Sequence, residues 1–178
     1  MTGIIQGGQI EDDYSMENVN YISGKTSDGQ PIAMDGFRVE SFAIYYDNAK
    51  GETLVDIYFK SGASETIYAF SDDGSNIPEE LTDCIAAAKK NPELLTKQFP
   101  IEFIGCDTSD YIEFFFDGNT VEYYTRDRSD DKDLVVLHFV SGNVVEVIDD
   151  LDEKLYPGEC VETLVDDCIC RYMKDDDK

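Results

Sequence analysis

The residues best equipped for chemistry in this chain are its carboxylates. Thirty-nine Asp and Glu stand against 14 Lys and Arg in 178 residues, for a formal net charge of −25 and a pI near 4.1. Carboxylates can serve as general acids and bases, bind divalent cations, or meet a cationic surface. Acid–base catalysis needs a nucleophile beside a base, and no such pair is visible. The one imidazole, His138, lies on an apolar strand pattern and reads as a packed or half-exposed strand residue. A single His also excludes a His-rich metal site. There is no P-loop and no GxGxxG, and Gly7-Gly8 is a lone pair. The run Asp72-Asp73-Gly74-Ser75-Asn76 has the look of a cation loop but lacks the EF-hand spacing with Glu at position twelve. The expectation is therefore no enzyme, no cofactor and no bound metal.

The third role fits better, because the acids are unevenly placed. Residues 1–90 hold 16 acids and 6 bases, and the rest hold 23 and 8. One acidic stretch is DRSDDKD, with Asp127, Asp130, Asp131 and Asp133; a second is DDLDE, with Asp149, Asp150, Asp152 and Glu153. Glu159, Glu162 and Asp166 are spaced three and four apart, so on a helix they share one face. On a strand, carboxylates at alternate positions repeat at about 6.6 Å. That is comparable to the spacing of phosphates along a nucleic-acid strand. Tyr123 and Tyr124, like Tyr45-Tyr46 and 114–116, would place aromatic anchors at the rim of such a surface. The plainer reading is that half of each aromatic run faces the core.

The same totals exclude other classes. Direct nucleic-acid binding depends on Lys and Arg neutralising phosphates, which this chain cannot offer. No apolar run reaches the roughly 18 residues of a membrane helix. The start MTGIIQGGQIEDDY has neither a basic region nor an apolar core, so no signal peptide is visible and a cytoplasmic location is expected. Cys84, Cys106, Cys160, Cys168 and Cys170 are odd in number and read as reduced thiols. A salt-loving origin would explain acidity, but Lys outnumbers Arg ten to four.

The elements that must position these groups come in two sets. At an offset of 82, residues 22–40 match 104–122 at eight of nineteen positions, including Thr26-Ser27-Asp28 with Thr108-Ser109-Asp110 and Asp35-Gly36 with Asp117-Gly118. At an offset of 80, Leu54-Val55, Phe59 and Ser61-Gly62 recur as Leu134-Val135, Phe139 and Ser141-Gly142. The stripe Leu81, Cys84, Ile85, Ala88 recurs as Val161, Leu164, Val165, Cys168. Each copy predicts strands followed by one helix. The first has strands at 18–23, 31–34, 38–46, 53–60 and 63–70 and a helix from 78 to about 90. The second has strands at 101–105, 111–116, 120–125, 133–140 and 143–148 and a helix from 158 to about 173. The expected class is α+β, a tandem duplication in which each copy is an antiparallel β-meander of about five strands followed by a helix. The copies span 1–91 and 100–178, joined by 92–99. At about 80 residues each, they are expected to pack on one another.

In size, acidity, thiol usage and lack of catalytic motifs, with DRSDDKD, DDLDE and the acidic helix face carrying the likeness, the chain resembles the small acidic inhibitors encoded by bacteriophages. These include anti-restriction and anti-CRISPR proteins, which share no common fold. The resemblance implies a basic nucleic-acid-binding partner, a nuclease or CRISPR effector, whose DNA or RNA site is blocked. The rival readings are an immunity or scaffold module with an ordinary protein partner, and an enzyme using a carboxylate-bound metal.

Overall fold

A computed structural model describes residues 20–96, 99–127, 133–151 and 158–170. The first half runs β1 (Tyr21–Lys25), β2 (Pro31–Asp35), a 3-10 turn (Gly36–Arg38), β3 (Val39–Asp47), β4 (Glu52–Phe59), β5 (Ser64–Tyr68) and α1 (Ile77–Lys90). After a four-residue helix α2 (Glu93–Thr96), the order repeats: β6 (Phe103–Asp107), β7 (Glu113–Asp117), a 3-10 turn (Gly118–Thr120), β8 (Val121–Asp127), β9 (Leu134–Phe139), β10 (Val144–Ile148) and α3 (Val161–Ile169). The fold is α+β, with every strand pair antiparallel.

The strands do not form two five-stranded meanders, as the sequence pattern suggests. They form sheets of five, three and two strands: β1-β2-β8-β9-β10, β3-β4-β5 and β6-β7. The cause is local. Asp35 accepts a hydrogen bond from the Phe37 amide and caps a 3-10 turn; Asp117 does the same with Asn119. Each turn re-aims the chain before it resumes as a strand, so β3 leaves β2 and β8 leaves β7. The freed β2 pairs instead with β8 of the other half, with Ile32, Ala33 and Met34 opposite Thr125, Tyr124 and Tyr123.

Local geometry recurs in both halves. Thr26 and Thr108 open matching turns. Irregular register appears at Val39/Ser41 and at Val121/Tyr123. Gly36 and Gly118 each lie against a helix thiol, where a Cβ on Gly118 would fall 2.6 Å from Cys168 Sγ and 2.9 Å from Ile104 Cδ1. Gly36 stands in the same relation to Cys84 and Ile22.

Two apolar cores result, and each borrows from the other half. The first gathers Ile22, Met34, Phe37, Val55, Ile57 and Phe59 under α1 and takes in Tyr123. The second gathers Ile104, Phe116, Val135, Leu137 and Val147 under α3 and takes in Ala33. Helix α1 begins at an Asn76 side chain that accepts from the Glu79 amide, has Glu79 and Glu80 in its first turn, and ends on Lys89 and Lys90, which complements its dipole. Residues 92–99, expected as a link, carry α2, and Leu94, Leu95 and Phe99 pack on the first core.

Candidate partner-binding surface

The acids of the second half converge on a group the sequence pattern did not single out. Arg126, on the central strand β8, is 7% exposed. Its guanidinium pairs with Asp149 at 3.1 Å, with Glu162 more closely, and with Asp133 at 4.0 Å. Three elements deliver these carboxylates: the start of β9, the end of β10 and the first turn of α3. Asp149 also accepts a hydrogen bond from the Glu162 amide, so it ties the helix start to the sheet. Burial raises the Asp149 pKa, and the Arg126 charge opposes that rise. The arrangement is a buried cation caged by acids, and removing the cation would leave uncompensated charge, which typically costs about 3–5 kcal/mol.

One turn further along α3, Asp166 accepts from the Tyr124 hydroxyl at 2.7 Å. Tyr21 joins the same network. Burial pushes Asp166 up to about 6, with the tyrosine hydrogen bonds pulling the other way. Glu162 and Asp166 therefore face the sheet, and the expected acidic helix face is partly an internal seam. Among its three members, Glu159 is the exposed one.

Tyr123 and Tyr124 are also corrected from rim anchors to core residues, 1% and 2% exposed. They lie on β8, which is flanked by β2 and β9 and covered on both faces, so neither side of the strand meets solvent. Tyr123 stacks between Phe59 and His138, at 4.3 and 4.1 Å between ring centres. Its hydroxyl donates to Glu65. His138 is thus a half-buried stacking partner, and burial lowers its pKa to about 4. Of the aromatic runs expected as anchors, Tyr45, Tyr46 and Phe115 do reach solvent.

Of the remaining expected contact residues, Asp133 and Asp150 are exposed and Asp127 is half-buried. Asp130, Asp131, Asp152 and Glu153 lie outside the described residues. The loop at 72–76 uses its carboxylates internally. Asp73 accepts from the Ser71 hydroxyl and from the amide and hydroxyl of Ser75, which holds its pKa down at about 2. Asp72 pairs with Lys25 at 2.8 Å. Among the described residues, no group of three or more His, Cys, Asp and Glu is placed to hold a metal ion, and no helix is long and apolar enough to cross a membrane.

Sequence reasoning also missed Glu122 and Asp35, the two buried acids among the described residues. Glu122 accepts from the Ser61 hydroxyl across the two halves, and burial raises its pKa. Asp35 accepts from Asn20 and lies 3.6 Å from the Arg38 guanidinium. For Asp35 a signal existed, since it sits in the recurring Asp-Gly pair and Asp117 caps a 3-10 turn as Asp35 does; Glu122 had none, since the matching Glu40 is exposed. No family model matches this chain, and neither the curated proteins nor the solved structures contain a match to it.

Proposed function

We propose that this chain is a non-catalytic acidic inhibitor, which binds a basic nucleic-acid-binding protein of the CRISPR-effector or restriction-nuclease kind and blocks its DNA or RNA site. The observation that carries the reading is a net charge of −25 on a chain in which Asp35 and Glu122 alone, among the described acids, are buried. Carboxylate surface of that density is attracted to a groove built to hold phosphates, quickly and with strong dependence on salt. Exposed acids of the second half, Asp133, Asp150 and Glu159, form the proposed contact together with the acidic stretches on either side of them. Asp149, Glu162 and Asp166 hold the scaffold beneath. The five cysteines, none of them in a disulfide, suit the cytoplasm of a bacterial host.

We further infer that the two halves arose by tandem duplication. The recurring element order, the capped 3-10 turns and the paired glycine–thiol contacts support this.

The test is displacement of labelled duplex DNA from purified Cas9-type and restriction nucleases. Near-stoichiometric release at low salt is expected, fading as salt rises. Asp150→Lys and Glu159→Lys together should weaken the inhibitor at least tenfold while leaving its circular dichroism unchanged. Displacement that no nuclease shows, or that ignores both salt and the two reversals, would remove the proposal.

A further inference from the structure

The two halves are joined on one side and open on the other. At the closed side, β8 lies along β2 and its residues fill a groove of the first half. Tyr123 stacks on Phe59 and bonds Glu65, while Glu122 takes the Ser61 hydroxyl at 2.5 Å. The element order assigns this junction a counterpart, β3 along β7, in which 41–43 would face 114–116 just as 123–125 face 32–34. That counterpart is unformed. Among the described residues, β3 is bonded to β4 alone and β7 to β6 alone. The groove matching the filled one, lined by Phe114, Phe116, Phe139, Ser141 and Val144, is an open cleft of about 450 Å³.

Among the described residues nothing covers either edge, and the charges of each strand stand at its ends. β3 is nine residues long and contains no Lys and no Pro, the residues that usually blunt an edge. Its run 41–46 has no charge, and neither has 114–116, in a chain where 30% of residues are charged. Apolar side chains flank each edge: Ile44 and Tyr46 on β3, and Phe103 and Phe115 on the hairpin of β6 and β7. The equivalents of Phe103 and Phe115 in the first half are Tyr21 and Ala33. Ala33 is buried and Tyr21 is partly buried in the second core, because β2 has found its strand partner.

We infer that a second copy of this chain supplies the missing strand, β3 of one copy pairing with β7 of the other in a symmetric dimer. The occupant follows from the edges themselves. Each is the structural counterpart of a strand in the formed junction, and one molecule carries both, so a twofold axis satisfies all four at once. The uncharged runs are also the places where two such acidic chains can approach with least repulsion. The proposal is independent of the acidic-inhibitor reading.

Sedimentation equilibrium of the full chain, at about 50 mM and 500 mM NaCl, tests it. A monomer–dimer equilibrium is expected, with the dissociation constant falling about tenfold at the higher salt as like-charge repulsion is screened. Ile44→Glu and Phe115→Glu alter side chains 54% and 65% exposed, so both variants should keep the wild-type circular dichroism and sediment as monomers. A monomer at every concentration and both salts, as when β3 closes on the β7 of its own chain, overturns the proposal. So does a dimer that both variants leave intact. Binding to a basic partner weakens with salt, so failure of either idea is read separately.

Discussion

At the residue scale, the chain sorts its acids by whether a donor meets them in the interior. Asp149 and Glu162 have Arg126, Glu122 has Ser61, and Asp166 has Tyr124. Asp166 is the member whose charge is least well supported, since burial lifts it to about 6. A carboxyl with a folded-state pKa above its unfolded one binds more protons when folded across the interval between them. Stability from this group therefore rises as pH falls from about 6 to about 4, and it is lost as pH rises through that window. His138 works in the opposite direction over an overlapping range, because its folded pKa is depressed to about 4. The difference between two proteins isolates the acid. Asp166→Asn keeps an oxygen to accept from Tyr124 and removes the charge. At pH 7 it should be more stable than the parent by roughly 1–2 kcal/mol, discounted for its partial exposure, with the gap closing near pH 4. Urea unfolding of both proteins across that range reads the gap directly. A gap that stays constant with pH would mean that the carboxyl titrates normally.

At the element scale, the glycine of each 3-10 turn sets how closely a helix approaches its sheet. Neither Gly36 nor Gly118 has the left-handed backbone that demands glycine; the reason for each is steric. Gly118→Ala drives a methyl into Cys168 and Ile104 and should cost about 1–3 kcal/mol. Cys168→Ala clears space at the same point, so the double variant should lose less than the sum of the two singles, with a coupling of about 1 kcal/mol or more. Thermal or urea denaturation of the four proteins gives the cycle, and strict additivity would show that the thiol does not oppose the methyl. This contact also explains where sequence comparison slipped. The stripe offset of 80 pairs Ala88 with Cys168, whereas the glycine contacts pair Cys84 with Cys168, a shift of one helical turn. An i, i+3, i+4, i+7 stripe looks the same after one turn, so only a tertiary contact fixes its register. Strand existence and the hairpins at Ser61-Gly62 and Ser141-Gly142 were legible because turn chemistry is local. The exchange of β2 to β8 was not legible, and the burial of Tyr123 and Tyr124 followed from it. Alternation along a strand shows which residues share a face, but not which strand lies beside it. Arg126 escaped notice for the same reason, since its three acids come from distant parts of the chain.

At the scale of the whole molecule, charge works against the fold and salt is the variable that exposes it. Among the described residues three acids share Arg126, Lys25 serves Asp72 and Arg38 faces Asp35. With 39 Asp and Glu against 14 Lys and Arg, like charges outnumber opposite ones across the chain. Compaction brings them closer than in the unfolded chain, so repulsion subtracts from a stability that for most domains is only about 5–15 kcal/mol. Screening over a Debye length of about 10 Å at 0.1 M weakens repulsion across the surface much more than it weakens the buried Arg126 cage. Raising NaCl from about 20 mM to 500 mM should therefore raise the melting temperature by several degrees, where about 1 kcal/mol corresponds to 2–4 °C at this chain length. Calorimetry of the Ile44→Glu variant keeps self-association out of the measurement. A melting temperature that falls with salt would mean that paired charges dominate over like charges, and the exposed acids would then be knitted into networks rather than held ready for a cationic partner.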